Sequence, residues 1–371
     1  MAHSLTRTLN QVWKYVSAFR AGETSRFHPD SILVEPTSTC NLHCIHCYRE
    51  SRIHTDLKKV DQNMALETFQ AVIDQLSPHL TRLCFTGYGE PLIHPRLPEM
   101  TRYAAERGVS VRMVSNGILW SRERAEQMLS AGIAQVSFSL DAGTEETYRK
   151  VRQGDWHRAT RGIRTFHEVR RQADSKAGLA IFNVLNALNY HETAGMVKMG
   201  YELGADFISF APVRTEGILP TDALTLERVD RGSLLEALRQ ALQADVEGRT
   251  SLRDLIATFE CSETPHCSGA DFCYSPWTDV MILSDGSVQP CCNYFGLARR
   301  YVFGNLNQQR FDSIWNGEAF RRFRREFVQD RICDWCRMYP QVDTNKVHER
   351  IQKFKRVLPL FRWFSKRKSL S

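Results

Sequence analysis

Residues 35–47 read Glu35-Pro36-Thr37-Ser38-Thr39-Cys40-Asn41-Leu42-His43-Cys44-Ile45-His46-Cys47. Three thiols fall within eight residues in a C-x3-C-x2-C pattern. Three thiolates on one short loop can hold three corners of a cubane iron–sulfur cluster and leave the fourth iron open to a substrate. A structural zinc site closes with four ligands, and His43 or His46 would complete it, so zinc stays open on spacing alone. The same i, i+4, i+7 spacing would also line the buried face of a helix.

What surrounds the loop narrows the choice. Short β-rich runs occur at Ser31–Glu35, Arg82–Thr86, Val109–Val114, Gln135–Leu140, Leu179–Leu185 and Asp206–Phe210. Helical patterns alternate with them at Ala65–Ser77, Leu97–Arg107, Ser121–Ser130, Trp156–Ala173 and Glu192–Leu203. Strand–helix repeats with short connections imply parallel strands with helices outside. Six units predict an α/β fold, a partial (β/α)6 barrel, over residues 31–220. In such barrels the chemistry sits on loops after the strands. The unusual residues fall there: the three cysteines after the first strand, Gly87-Tyr88-Gly89-Glu90-Pro91 after the second, Ser115-Asn116-Gly117 after the third and Ser139-Leu140-Asp141 at the end of the fourth.

Composition sets outer bounds. A 371-residue chain has room for two or three domains, and 42% hydrophobic residues suffice for a full core. The longest uncharged run, Ala177 to His191, is shorter than a membrane span and contains three Asn. Eleven cysteines cannot all pair, and the first 30 residues lack the apolar core of a signal peptide. The reading is a cytoplasmic protein whose clustered cysteines bind metal. Net charge is +7, with eight Lys or Arg and no acid from Arg350 onward. That excess fits a solvated tail or an anionic surface at least as well as nucleic acid, which is not an expected partner; for the first 30 residues a lid packed on the main domain is favoured over a membrane anchor. Residues 1–30 form an amphipathic helical pattern, 221–260 a helical connector, 261–340 a small Cys-rich α+β domain and 341–371 a basic tail.

The cysteine loop and its flanks resemble the radical SAM superfamily. Glu35–Leu42 looks like the entry to that family's cluster loop, Gly87–Pro91 like its Gly-Gly-Glu-Pro segment with Tyr88 inserted, and the later motifs recur in order over residues 31–215. One departure is His46, where the family usually has an aromatic residue; Tyr48 follows the third cysteine. The resemblance implies a [4Fe–4S] cluster on Cys40, Cys44 and Cys47, which are also the catalytic residues. It implies S-adenosylmethionine held near Tyr48, Gly87, Gly89, Glu90, Ser115, Asn116, Ser139 and Asp141. Each of these residues also has a plain reading: glycines for a turn, Glu90 a first-turn charge, Asn116-Gly117 a turn pair, Asp141 a helix N-cap. Arg149 and Arg152 could reach a carboxylate, and a solvated helix face is the favoured reading of both.

A second cluster follows. Cys273 is separated from Gly286 by twelve residues and Gly286 from Cys291 by four; Gly304-Asn305-Leu306, Ile314-Trp315-Asn316 and Cys333-Asp334-Trp335-Cys336 come after. This resembles the SPASM/twitch domain of many radical SAM enzymes, over about 273–336. Nothing follows Cys336 that would complete a further cluster. The resemblance implies one auxiliary [4Fe–4S] cluster on Cys273, Cys291, Cys333 and Cys336, with Cys292 spare. Four thiolates in two pairs also suit zinc. Cys84 reads as a core residue; Cys261 and Cys267 are unassigned.

The expected function is a radical SAM oxidoreductase acting on an unactivated C–H bond. The auxiliary cluster would take a second electron, giving net oxidation of a small molecule such as a sugar or cyclitol, or of a peptide side chain. An epimerase with a Cys hydrogen donor and a non-catalytic iron–sulfur or zinc protein that binds nucleic acid are the alternatives. The expected partners are the substrate and a low-potential electron donor such as flavodoxin or ferredoxin.

Overall fold

The computed structural model describes residues 22–25, 27–50, 62–213, 222–260, 275–291 and 302–330. Six strands, β1 (Ser31–Val34), β2 (Arg82–Phe85), β3 (Ser110–Ser115), β4 (Ile133–Ser139), β5 (Gly178–Leu185) and β6 (Phe207–Pro212), pair in parallel in sequence order. Between them run α1 (Leu66–Leu76), α2 (Leu97–Glu106), α3 (Arg122–Ser130), α4 (Glu145–Arg152), α5 (Trp156–Gln172) and α6 (Thr193–Glu202). This is the expected α/β partial barrel, with boundaries within about two residues of the sequence reading. The connector is two helices, α7 (Arg231–Ala244) and α8 (Leu252–Glu260), and α8 follows a bridge from Thr250 to Ile208 on the β6 edge.

The Cys-rich region does not build a sheet of its own among the described residues. After a short helix, α9 (Ser275–Thr278), β7 (Met281–Ile282) pairs in parallel with β1. Next, β8 (Ser287–Gln289) and β9 (Gly304–Asn305) add antiparallel. The sheet order is β6-β5-β4-β3-β2-β1-β7-β8-β9. The strand bearing the cysteine loop is therefore central, flanked by β2 on one side and by the C-terminal region on the other. Helices α10 (Phe311–Trp315) and α11 (Glu318–Asp330) follow. Residues 22–25 and 27–28 lie across this region: Trp277 Nε1 donates to the Gly22 carbonyl at 2.8 Å and Trp315 Nε1 to that of Phe27 at 2.8 Å. The N-terminal helix pattern before residue 22 and the basic tail lie outside the described residues.

One packing contact sets the reactive rim. The 17-residue α5 starts at the Asp155 cap, which accepts from Arg158 N, and buries Trp156, Ile163 and Phe166. Phe166 meets Trp120 and Phe138 edge-on, with centroids 4.9 and 5.7 Å away. This aromatic cluster draws the helix onto the loop after β3. The approach is so close that a Cβ on Gly162 would lie 2.0 Å from the Gly117 carbonyl oxygen.

Candidate functional site

The cysteine loop leaves β1 and is not helical, which removes the buried-helix reading. Leu42 is buried and anchors the loop, while Ile45 N donates to the Val151 carbonyl at 3.0 Å and Arg49 Nε to that of Ser38 at 2.9 Å. Cys40, Cys44 and Cys47 are all free thiols. Burial pushes the Cys40 thiol up to about 11 and the Cys44 thiol up to about 12, and raises Cys47 as well; Arg152 opposes the rise at each. Such thiols ionise only when a metal charge compensates them, so the pocket fits a soft cationic centre. Zinc fits less well. His43 Nδ1 faces Glu50 at 3.3 Å and His46 Nε2 faces Asp141 at 3.4 Å. Among the described residues no three His, Cys, Asp or Glu groups converge on one ion. A cube does not need that convergence, because each corner iron takes a single thiolate.

The second strand's loop is locked against the first. Glu90 N donates to the Thr39 carbonyl at 2.9 Å, and a Cβ on Gly89 would lie 2.1 Å from the Thr37 carbonyl oxygen. The two glycines therefore admit protein: backbone against Gly89, the Glu35 side chain against Gly87. Glu90 is buried and accepts from Ser115 Oγ at 2.8 Å and Asn116 N at 2.7 Å. Burial raises its pKa against these donors. Glu90 also caps the short turn Pro91–Ile93 through Leu92 N, so the first-turn reading and a site role coexist. Asn116 Nδ2 reaches Asn41 Oδ1 at 2.8 Å, between Cys40 and Cys44 in sequence, and thereby ties three strand ends together.

The fourth strand's end supplies the charge. Asp141 is fully buried with φ of +61°, and Asn183 Oδ1 accepts its backbone N–H at 3.0 Å. It is not a helix cap, because Thr144 caps α4. Asp141 Oδ1 accepts from Val184 N at 2.6 Å and Oδ2 from Arg152 Nη1 at 2.9 Å. Burial works to raise the Asp141 pKa, but Arg152 and His46 outweigh it and hold the carboxyl below its ordinary range. Arg152 is 7% exposed, which corrects its reading as a solvated residue; Arg149 does lie outside, paired with Glu145. Sequence reasoning missed Asn41, and it did not foresee that Arg152 and His46 both face Asp141. The available signal was the buried face Tyr148-Val151-Arg152 on a helix leading away from a site loop. Ser139 is buried at the end of β4.

Three buried nitrogens here have no hydrogen-bond partner: His46 Nδ1, Arg152 Nε and Asn183 Nδ2. Buried polar groups are rarely left so, and three on residues that all contact Asp141 mark a place for a polar ligand. Cys84, in β2, is half-buried and distinct from this set. Of the second cluster, Cys291 is buried at the end of the segment after β8; Cys273, Cys333, Cys336 and Cys292, with Cys261 and Cys267, lie outside the described residues.

Known proteins carry the same two regions. The sequence model of the Radical SAM superfamily matches residues 34–196, and that of an iron–sulfur cluster-binding domain, SPASM, matches 273–337. The chain is 34% identical over 308 residues to Fe-coproporphyrin III synthase of Methanosarcina barkeri, covering 75% of this chain and 71% of that one. It is 25% identical over 320 residues to the PqqA peptide cyclase of Bradyrhizobium diazoefficiens, covering 83% and 78%. The fold resembles Streptococcus suis SuiB bound to S-adenosylmethionine, with a TM-score of 0.63 at 17% identity over 86% of this chain and 73% of that one. The protein thus belongs to the radical SAM superfamily, whose cofactors are a [4Fe–4S] cluster and S-adenosylmethionine, and carries that superfamily's SPASM iron–sulfur domain.

Proposed function

We propose that the protein is a radical SAM oxidoreductase that removes a hydrogen atom from an unactivated C–H bond and completes a net oxidation. The observation that carries this reading is the set of three thiols on one loop near buried Arg152, with three unspent nitrogens on the residues around Asp141. With cofactors bound, a reduced cluster and S-adenosylmethionine supply a 5′-deoxyadenosyl radical. Cys40, Cys44 and Cys47 would hold three corners of the cluster. Arg152, whose Nε is free, suits the methionyl carboxylate, and Glu90 with the Ser115-Asn116 turn suits the ammonium end. Ser139 and Asp141 complete the pocket, Asp141 by holding Arg152; Gly87 and Gly89 seat the loop that carries Glu90, and Tyr48 follows the third cysteine in sequence. The buried walls exclude water, which a carbon radical requires.

In the second domain, Cys273, Cys291, Cys333 and Cys336 would hold one auxiliary cluster, a one-electron acceptor that makes oxidation the favoured outcome over epimerisation. The relatives favour a haem-type macrocycle or a peptide as the substrate class over the sugar or cyclitol expected from sequence. No helix among the described residues is long and apolar enough to cross a membrane. We place the enzyme in the cytoplasm, with a flavodoxin or ferredoxin as reductant.

The test is anaerobic reconstitution followed by chromatography for 5′-deoxyadenosine. Its formation from S-adenosylmethionine under reduction supports the reading; its absence from an iron-replete sample refutes it. With substrate in deuterated water, oxidation yields a product two hydrogens lighter and free of deuterium at the reacting carbon. Deuterium there with no mass loss means epimerisation.

A further inference from the structure

Glu35 opens the cysteine-loop motif, and the cluster and S-adenosylmethionine pocket give its side chain no task. It is 2% exposed at the end of β1. Its Oε2 accepts from Tyr88 N at 2.7 Å, in the loop after β2. Its Oε1 accepts from Ser284 Oγ at 2.8 Å and Ser284 N at 3.2 Å, in the β7–β8 hairpin. Its own N–H donates to the Ile282 carbonyl at 2.8 Å. A single side chain thus spans the barrel loop and the C-terminal hairpin. The space beside it is filled: a Cβ on Gly87 would lie 2.5 Å from Glu35 Cγ, and buried Tyr88 packs with Met281 and Leu283 of β7 and its hairpin.

We propose that Glu35 is a positioning residue that couples the C-terminal hairpin to the Gly87–Glu90 loop, so that the loop is held in its binding geometry only when the hairpin is docked. The hairpin continues to Cys291, seven residues beyond Ser284, and the loop continues to Glu90, two residues beyond Tyr88. The Glu35 carboxylate is the polar link between the two, beside the packing of Tyr88 on Met281 and Leu283. This coupling rests on the pocket assignment under Proposed function.

The chemistry of the joint is specific to a carboxylate. Three donors converge on two acceptor oxygens, and charge-assisted bonds of this kind are the strong ones. A glutamine offers one acceptor oxygen and turns an NH2 toward donors on the other side. Burial pushes the Glu35 carboxyl up to about 7, against the pull of Tyr88 N and Ser284, with Asp285 adding repulsion. Asp285 is the charged neighbour that bears on it; among the described residues no cation offsets the charge. Ionising Glu35 thus costs stability as pH rises through about 7, and the ionised form accepts all three bonds. Below that pH the carboxyl carries a proton and loses the charge that strengthens the three bonds.

The test uses the full-length reconstituted chain, with Glu35→Gln and Ser284→Ala. Hydrogen exchange at one pH reads the coupling without turnover. Ser284→Ala, a change in the hairpin, should speed exchange in the peptide spanning residues 86–90 several-fold, with residues 110–115 unchanged. Unaltered exchange at 86–90 overturns the proposal. Steady-state formation of 5′-deoxyadenosine reads the consequence. Glu35→Gln should raise KM for S-adenosylmethionine about tenfold with bound iron retained. The wild-type KM should climb as pH falls from 8 to 6, and the Glu35→Gln KM should stay flat. A wild-type KM independent of pH, or a Glu35→Gln KM equal to wild type, overturns it. If Glu35→Gln does not fold, Ser284→Ala decides both assays. If the wild type forms no 5′-deoxyadenosine, the pocket assignment fails, while the exchange result still decides whether the joint exists.

Discussion

Replacing Gly162 with alanine should destabilise the chain by about 2 kcal/mol or more and weaken binding in the pocket after β3. The sequence alone argues the opposite, because alanine in a helix interior is favoured over glycine by about 1 kcal/mol. The structure reverses the sign. A Cβ at position 162 would lie 2.0 Å from the Gly117 carbonyl oxygen, against the roughly 3.2 Å of an ordinary carbon–oxygen contact. The obstacle is backbone, so it does not rotate away. Helix α5 must withdraw by about an ångström, which opens a gap along Trp120, Phe138 and Phe166. Overpacking of this severity costs about 3 kcal/mol, which exceeds the propensity gain. Withdrawal also releases Gly117 and with it Ser115 and Asn116, the donors to Glu90. Gly195, inside α6, is the control: a Cβ there meets only the Gly143 Cα, at 3.7 Å. Gly195→Ala should be neutral or stabilising by up to about 1 kcal/mol. Urea unfolding of the metal-free variants followed by circular dichroism measures both, and the Gly162→Ala holoenzyme should show a raised KM for S-adenosylmethionine with unchanged iron. A Gly162→Ala chain as stable as wild type, or less perturbed than Gly195→Ala, refutes the packing argument.

Replacing Cys40, Cys44 and Cys47 together with alanine should remove roughly half the iron and all 5′-deoxyadenosine formation, measured by iron assay and chromatography; unchanged cleavage defeats the ligand assignment. Cys291→Ala should lose auxiliary iron while Cys292→Ala keeps it, because the spacing from Gly286 selects the first of the pair; the reverse pattern reassigns the ligand. Arg152→Met should cost about 3 kcal/mol by leaving buried Asp141 without its guanidinium partner, and adding Asp141→Asn should recover at least about 1 kcal/mol of it in a double-mutant cycle. The sign with pH follows from Asp141's lowered pKa. Its contribution is complete above the unfolded carboxylate value of about 3.9 and fades as pH falls below it, so wild type and Asp141→Asn should converge in acid.

The strands, helices and site loops were legible because period and position are local properties of the chain. Val111, Met113 and Ser115 alternate inward along β3, and a parallel sheet then sends Ser115 and Asn116 to the reactive rim without further information. What was not legible depends on where a side chain goes after its backbone is fixed. Arg152 sits in a helix rich in exposed charge, and its neighbours Arg149 and Lys150 do face water, paired with Glu145 and Glu146. The last-turn register puts Arg152 on the buried face with Tyr148 and Val151, where it meets Asp141, eleven residues earlier. Gly87 and Gly89 are sites of close approach, but sequence does not say what approaches. Glu35 fills the first space and the Thr37 carbonyl the second. The glycines thus bring the loop against β1, and the position of Glu90 follows from that contact: Glu90 N to the Thr39 carbonyl on one side, its carboxylate to Ser115 and Asn116 on the other. A motif that looks like a ligand cradle on paper is therefore a device for holding one carboxylate still between two strand ends. Its precision depends on β1, and β1 is held on its far side by β7 of the C-terminal region.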